Sequence, residues 1–527
     1  MNPNTHALTT NLQGRTRIFV CSIASWATLI LASPGLGQQA NSVSIERIVE
    51  TDDQAIGYRS FRIGRSTVGL DSGDCLIAAS TDVGPGIWWN SQSNGLTPIV
   101  SPSELKARNW QLNGLESSEP VKWVEPLFGT QDQQFVLVTF KRNSNNQGIW
   151  AFGKKGEECL LRVGQVLELP SVRLNISAFN LVAQSNKAAI IQGSDKSTKK
   201  QFWLLLTSGN KLQLICKAGQ FLSDESDSYI DGVGRNIRLT ANGEVLLTAT
   251  VAGPGFTGSN NFKTFVFHPE RAVLEEAPPV VFNPPNDQLR RRERPKGPVK
   301  VFTDLVVIND GKQQFHSDFL ALYDSGAKIW SSTDRNTAKL IVMDGREAPG
   351  MSSGKLIATR VLAKTNRGNL LIGGAVDIER PGQNTKSLSS LWLYQQKDGQ
   401  LTPLLHEGQS LPKLGRGYSI DKLRDLQAVV LNVFRGGHIA LQTSFTGPQN
   451  NGRAYWILSP NGKLILVAAD GFDLIDGAGR SWQSQTVFHR EMKFAESDDQ
   501  VFVWFKAYGA GRMDHTKPTL FRASLQK

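Results

Sequence analysis

Cysteine is scarce: four residues in 527, with no Cys-x-x-Cys pair and no spacing suited to a zinc knuckle. Histidine is scarcer in effect. His268, His316, His406, His438, His489 and His515 stand apart, without His-x-His or His-Glu-x-x-His, so no metallohydrolase motif is present. Beyond the first forty residues no apolar run is long enough to span a bilayer as a helix. The formal charge of +11 is thinly spread over the chain, which excludes a nucleic-acid footprint. Nor is the chain poor in apolar residues: 40% are hydrophobic and 20% charged, the composition of a packed protein.

The N-terminus reads as an export signal. Arg15 and Arg17 precede the apolar run Ile18 to Leu31, and Gly35 and Gly37 supply the small residues a signal peptidase needs, so residues 1–37 are expected to be removed. The run is shorter than the roughly 20 residues of a membrane span, and Pro34 breaks it. Removal takes two arginines and no acid, leaving a charge of +9. The expected location is extracytoplasmic, periplasmic or secreted, with no transmembrane segment after signal removal. Three cysteines then remain: Cys75, Cys159 and Cys216. Cys159 and Cys216 fall on the same kind of strand in neighbouring repeats, about 10 Å apart and too far for a bridge, so all three read as small buried hydrophobes.

What the chain has is a recurring hairpin. It runs Ile87-Trp88-Trp89, Asn94-Gly95, Leu96 to Val100, and returns at Phe202-Trp203, Leu391-Trp392 and Tyr455-Trp456, each followed by a tight turn and a Leu-rich strand. Asn-Gly and Asp-Gly between β-rich runs favour two-residue turns because both positions tolerate positive φ. Weaker copies start at Ile149, Phe265, Leu320 and Leu520. Taking Trp88, Trp150, Trp203, Phe265, Ala321, Trp392, Trp456 and Leu520 as equivalent gives spacings of 62, 53, 62, 56, 71, 64 and 64. A third strand precedes each hairpin behind a turn such as Asp71-Ser72-Gly73 or Asn366-Arg367-Gly368, and a fourth short strand fits before it, as at Arg235 to Leu239.

Four strands per unit and eight units predict an all-β fold, a β-propeller of eight four-stranded blades occupying residues 38–527. Seven blades, a β-sandwich array or an open β-repeat array are the alternatives. The strand Val43 to Val49 is expected to pair into the last blade and close the ring. A Pro- and Arg-rich stretch, 275–300, interrupts the pattern and is expected to project from the fifth unit.

The cycle of apolar-Trp-apolar, turn, Leu-x-x-Leu-Val, Gly, then Asn-x-x-Gly and an apolar strand resembles the secreted bacterial tandem-repeat proteins named for an Asn-x-x-Gly-x-x-Ala-Phe motif. Asn366-Arg367-Gly368 comes nearest that motif; the Ala-Phe ending is absent. The resemblance implies export and a repeat architecture, and it brings no catalytic residue.

Chemistry is sparse. Ser352 in Gly350-Met351-Ser352-Ser353-Gly354 has the letters of a nucleophile elbow, but Pro349 precedes it and a β-like run, Lys355 to Ala358, follows where the elbow needs a helix. Asp224, Asp227 and Asp231 offer carboxylates for calcium, although Tyr229 and Arg235 occupy the positions an EF-hand gives to Gly and Glu. Asp470, Asp473 and Asp476 are a thinner set of the same kind. No other cofactor is implied. Arg290, Arg291, Arg292, Arg294 and Lys296 form the strongest electrostatic feature and suit an acidic polysaccharide or a surface protein. The expected function is an exported binding or scaffold module that recognises an anionic glycan or surface polymer. The alternative is a carbohydrate-active propeller enzyme with carboxylates at the axial mouth.

Overall fold

The computed structural model divides at Ser42/Val43. The described residues lie within 43–527, apart from 104–109, 141–146, 283–298, 301–318, 332–338, 379–385, 510–517 and shorter breaks of one to five residues. The segment 1–37, expected to be a signal, is outside the described residues.

Every named element of the described residues is a β-strand. Eight sheets of three to six antiparallel strands follow one another, with two small hairpins beside them. The first sheet is Phe61–Gly69, Cys75–Thr81, Pro85–Ser91 and Gly95–Val100, hydrogen-bonded in chain order. The second begins at Val121–Gly129, the third has Val172–Gln184 as its first long strand, and the fourth begins at Tyr229–Leu239. The fifth shows three strands, Phe319–Leu322, Lys328–Ser331 and Lys339–Met343; the sixth begins at Lys355–Lys364. In the seventh, Val430–Val433 and Ser419–Ile420 share the strand Ile439–Thr446. The eighth joins Gln500–Gly509 and Thr519–Gln526 to Ser44–Glu50, so the expected closing strand is in place.

Seven apolar clusters among the described residues each lie between two consecutive sheets, the last and first included. Both faces of a central strand are therefore buried. In Gln201–Thr207, Phe202, Leu204 and Leu206 face the second sheet while Trp203 and Leu205 face the fourth. Alternation with period two on apolar residues alone produces this result. Sheets packed face to face in series, with the last against the first, make a β-propeller; the fourth and fifth sheets share no such cluster among the described residues.

The last two strands of seven of these sheets share one irregularity. Register shifts occur at Ile87/Trp88, Ile149/Trp150, Trp203/Leu204, Ile329/Trp330, Leu391/Trp392, Tyr455/Trp456 and Leu520/Phe521, leaving one extra residue opposite: Ile99, Leu160, Ile215, Ile341, Leu404, Val467 and Ile48. Each extra residue is aliphatic, and each packs into a different one of the seven clusters. Five of them are followed four residues later by a glycine, Gly164, Gly219, Gly345, Gly408 or Gly471, with φ between +78° and +85°. At the first four, the glycine N–H donates to Ile176, Ile230, Leu356 or Ile420 of the next sheet at 2.6–2.8 Å, and that residue's N–H donates back to the residue after the glycine.

The bulges correct three sequence equivalences. Ala321 lies on the first of the three strands described in the fifth sheet; Trp330, on the next, takes the repeat position, which changes spacings of 56 and 71 to 65 and 62. Leu204 and Phe521, rather than Trp203 and Leu520, follow the bulge. Cys159 precedes its extra residue and Cys216 follows one, so the two are not equivalent. The parity change at the bulge turns Leu160 and Leu161 inward and leaves Cys159 exposed, against the expectation of a buried thiol. Cys75 and Cys216 are buried free thiols, and burial pushes Cys216 up to about 12, leaving it unreactive at neutral pH.

The first and eighth sheets meet through Gly69, which faces the indole of Trp504; a Cβ there would lie 2.1 Å from Cζ3. Arg522 donates to the Gly73 carbonyl at 2.6 Å and pairs with Glu46, tying the closing strand, its neighbour and the first sheet together. Gly69→Ala is expected to destabilise the protein by about 1–3 kcal/mol through overpacking of this seam, seen as a lower urea midpoint. Gly209→Ala, where a Cβ meets nothing within 4 Å, serves as the neutral comparison.

Candidate functional site

Two places on the described surface gather chemistry. On one face, an open cleft of about 270 Å³ lies between the third and fourth sheets. Its floor follows from the glycine turn: Gly219 and Gln220 are bonded to Ile230, which leaves the intervening loop to fold back on itself through a bridge between Phe221 and Tyr229. Phe221 is 60% exposed and meets Tyr229 edge-on at 6.3 Å. Across the cleft, the Lys263 ammonium sits 5.0 Å from the Phe256 ring centre and 2.5 Å from the Glu276 carboxylate. Gln220 and Ser228 add polar groups to the lining. An aromatic ring open to solvent with amide, hydroxyl, ammonium and carboxylate groups around it can stack on an apolar face and hydrogen-bond its edges.

On the opposite face, the turns between the innermost strand and its neighbour converge. Asp71 of the first sheet lies 3.6 Å from Lys187 of the third and 3.6 Å from Arg435 of the seventh. Arg367, exposed on the corresponding turn of the sixth sheet, approaches Gly437. Sheets that are not neighbours in the ring can touch only at its axis, so these side chains mark the axial mouth. Glu496 accepts hydrogen bonds from the N–H groups of Arg435 and Gly436 at 2.5 and 2.6 Å and pairs with Lys527 at 2.6 Å. Beside them an open polar cleft of about 390 Å³, lined by Ser72, Gln92, Asp498 and Lys527, runs between the first and eighth sheets.

The sequence-predicted residues fare unevenly. Arg290, Arg291, Arg292, Arg294 and Lys296 lie outside the described residues; the hairpin Val281–Phe282 with Val299–Lys300 flanks them. Asp224 also lies outside. Asp227 and Asp231 are described and exposed, Asp231 on the first strand of the fourth sheet. Among the described residues no three His, Cys, Asp or Glu side chains converge as a metal ion requires. Ser352 is outside the described residues, and the strand Lys355–Lys364 follows it. Asp470 acts on backbone, accepting from Val487 and Arg453 at 2.7 and 3.0 Å, while burial raises its carboxyl; Asp476 is outside the described residues. His268 stands apart in the sequence, whereas its Nδ1 lies 2.8 Å from Glu244 Oε1 in a buried pair. Phe221 has no stronger signal in the sequence than a lone aromatic in a Ser- and Asp-rich loop.

His438 ends the turn that carries Arg435. It is 4% exposed, its Nδ1 has no hydrogen-bond partner, and burial lowers its pKa; Glu496 opposes that shift, while Lys527 and Arg367 add to it. A histidine whose folded pKa lies below its unfolded value binds more protons when unfolded, so its contribution is complete above the ordinary value of about 6.5 and is lost as pH falls from there through the lower folded value. Thermal melts of the wild type and His438→Gln across pH 5–8 should therefore converge toward the acid side, the wild type losing more stability.

The sequence comparisons are narrow. Residues 299–490 match a family of unknown function, DUF7453. A search of curated proteins returns no match. Among solved structures the chain is similar to a PL25 ulvan lyase, a polysaccharide lyase, at 9% identity over 87% of this chain and 93% of that one, with a TM-score of 0.29. It is also similar to the polysaccharide lyase Uly1, at 8% identity over 88% and 90%, TM-score 0.33. The β-propeller domain of the Trilobed protease from Pyrococcus furiosus matches at 8% identity over 76% and 96%, TM-score 0.31. These likenesses are too slight to bear on function.

Proposed function

We propose that this chain is an exported polysaccharide-binding module, an eight-bladed propeller whose signal segment 1–37 directs it out of the cytoplasm. The observation that carries the reading is Phe221: a phenyl ring 60% exposed, buttressed by Tyr229 and set in a cleft with Lys263, Glu276 and Gln220. A pyranose ring presents C–H groups on one face and hydroxyls at its edge, and this cleft offers partners for both. Its volume of about 270 Å³ suits one or two sugar units of a longer chain passing across the surface. The cations Arg290, Arg291, Arg292, Arg294 and Lys296 follow the strand of Glu276 in sequence and favour acidic polymers. Calcium at Asp224, Asp227 and Asp231 is compatible with this role.

Affinity electrophoresis of the mature protein through gels containing neutral and acidic polysaccharides tests the reading. At least one polymer is expected to retard the wild type. Phe221→Ala should abolish the retardation, because stacking on an aromatic ring contributes on the order of 1–3 kcal/mol by analogy with base stacking, while the melting temperature stays unchanged. Equal mobility of wild type and variant in every polymer would remove the cleft from consideration.

A further inference from the structure

We propose that Lys263 and Glu276 make the aromatic cleft selective for an uncharged sugar unit with two adjacent free hydroxyls, the ammonium donating to one hydroxyl oxygen and the carboxylate accepting from the other. The proposal rests on the polysaccharide reading of this cleft. It starts from the same place one half-turn further round the repeat, between the sixth and seventh sheets, where the connection is bonded alike. Gly219 and Gly408 N–H donate to Ile230 and Ile420, whose own N–H groups donate back to Gln220 and Gln409, all at 2.6–2.9 Å. Leu222 and Leu411 N–H donate to Ser228 and Tyr418 at 3.0 and 2.8 Å. Gln220 and Gln409 each accept through Oε1 from the N–H three residues earlier, at 3.0 Å.

Identical bonding makes the fillings comparable. Between the sixth and seventh sheets Tyr418 is buried, edge-on to Phe445 and Phe472 at 5.8 and 5.1 Å, in one apolar cluster with Ala454 and Leu466. Ladder pairing gives the counterparts between the third and fourth sheets: Ser228 for Tyr418, Val251 for Phe445, Lys263 for Ala454 and Glu276 for Leu466. Two aromatic rings are gone, which opens the cleft, and two apolar positions have become charged. Lys263 shares the side of Phe265 and Phe267, and Glu276 pairs with Phe265, so parity turns both toward the third sheet. Ionised side chains at inward positions cost desolvation, and nothing in the repeat requires them.

The pair is also fitted to an uncharged ligand. Lys263 and Glu276 are the only charged residues lining the cleft, one of each sign, and at the rim Lys200 beside Gly219 and Asp227 next to Ser228 again add one of each. Lys263 is held by Glu276 Oε2 at 2.5 Å and by the Phe256 ring at 5.0 Å, which spends one of its three ammonium hydrogens on the carboxylate. Glu276 Oε1 and Gln220 Nε2 have no other partner among the described residues. The two charged side chains are 25% and 38% exposed, within reach of a ligand in the cleft. A carboxylate entering here gains Lys263 but meets Glu276 beside it. Two adjacent hydroxyls meet a donor and an acceptor already held side by side, and pay little to order them.

Calorimetric titration of the full mature chain with hexasaccharides tests the assignment. Cellohexaose and mannohexaose, 1,4-linked, keep adjacent hydroxyls on every unit; laminarihexaose, 1,3-linked, keeps them only at its ends; hexagalacturonate is 1,4-linked but adds a carboxylate to each unit. Wild type is expected to bind cellohexaose or mannohexaose about tenfold more tightly than either of the other two. Lys263→Met and Glu276→Gln should each weaken that binding about tenfold, the loss of one hydrogen bond to a charged group. Ser228→Tyr combined with Lys263→Ala and Glu276→Leu, which copies the seam of the sixth and seventh sheets, should raise the urea midpoint and abolish binding. Absence of binding by both neutral 1,4-linked hexamers, tighter binding of hexagalacturonate, or wild-type affinity in both single variants would overturn the proposal. If Phe221→Ala still removes the retardation in polysaccharide gels, the cleft reading stands and the hydroxyl assignment alone falls; if Phe221→Ala is silent as well, both fall.

Discussion

One extra aliphatic residue in the outer edge of seven of the sheets governs the way they stack. A bulge places two consecutive residues where the partner strand has one, and the side-chain parity of the strand changes there. Leu160 and Leu161 are both buried for that reason, although a regular strand would expose one of them. The extra residue always enters the core shared with the following sheet, from Ile99 in the first to Ile48 in the eighth. In four of the sheets a glycine in the left-handed region, four residues on, turns the chain and bonds it to the innermost strand of that same neighbour. Outer edge and next inner edge are thus fixed by two linked devices, and the sheet-to-sheet angle has little freedom left.

The two faces of the molecule inherit different chemistry from this plan. Connections that leave the outer strand pass through the glycine turn and then lengthen, as in the Phe221 loop, so that face carries variable loops with room for aromatic side chains. Turns between the two innermost strands are four or five residues long and tied by their own hydrogen bonds, as at Ser185–Ala188, Leu70–Asp74 and Phe434–His438. Short turns crowd the axis and bring charges from opposite sheets together. Position in the repeat therefore decides whether a residue meets a neighbouring sheet, solvent or the far side of the ring.

Much of the fold was legible in the chain because its signals are local. Trp88, Trp392 and Trp456, each before a tight turn, marked the third strand of a unit, and all three occupy the same place beside the bulge. Where the tryptophan is displaced, the reading slipped. Trp203 sits one residue early, with Leu204 in its place, and Trp330 was passed over for Ala321 because the Asn-Gly or Asp-Gly turn that flags the other copies is missing after it. Cys159 was misjudged for a related cause: a parity change has no mark in composition. The axial charges were in plain view in the turns Asp71-Ser72-Gly73 and Asn366-Arg367-Gly368, but only the ring makes Asp71 and Lys187, more than a hundred residues apart, into neighbours.

The strand Ser44–Glu50 pairs with Thr519–Gln526, and Thr51 is bonded to Pro518 across 467 residues of chain. That pairing sets an order in time. During synthesis the seam between the first and last sheets has no second half until nearly the whole chain has left the ribosome, so the apolar edge of the first sheet waits while each later sheet docks on its predecessor. Val68, Leu76 and Ile87 gain cover from the second sheet early, whereas Phe61, Ile77 and Trp88 wait for Trp504.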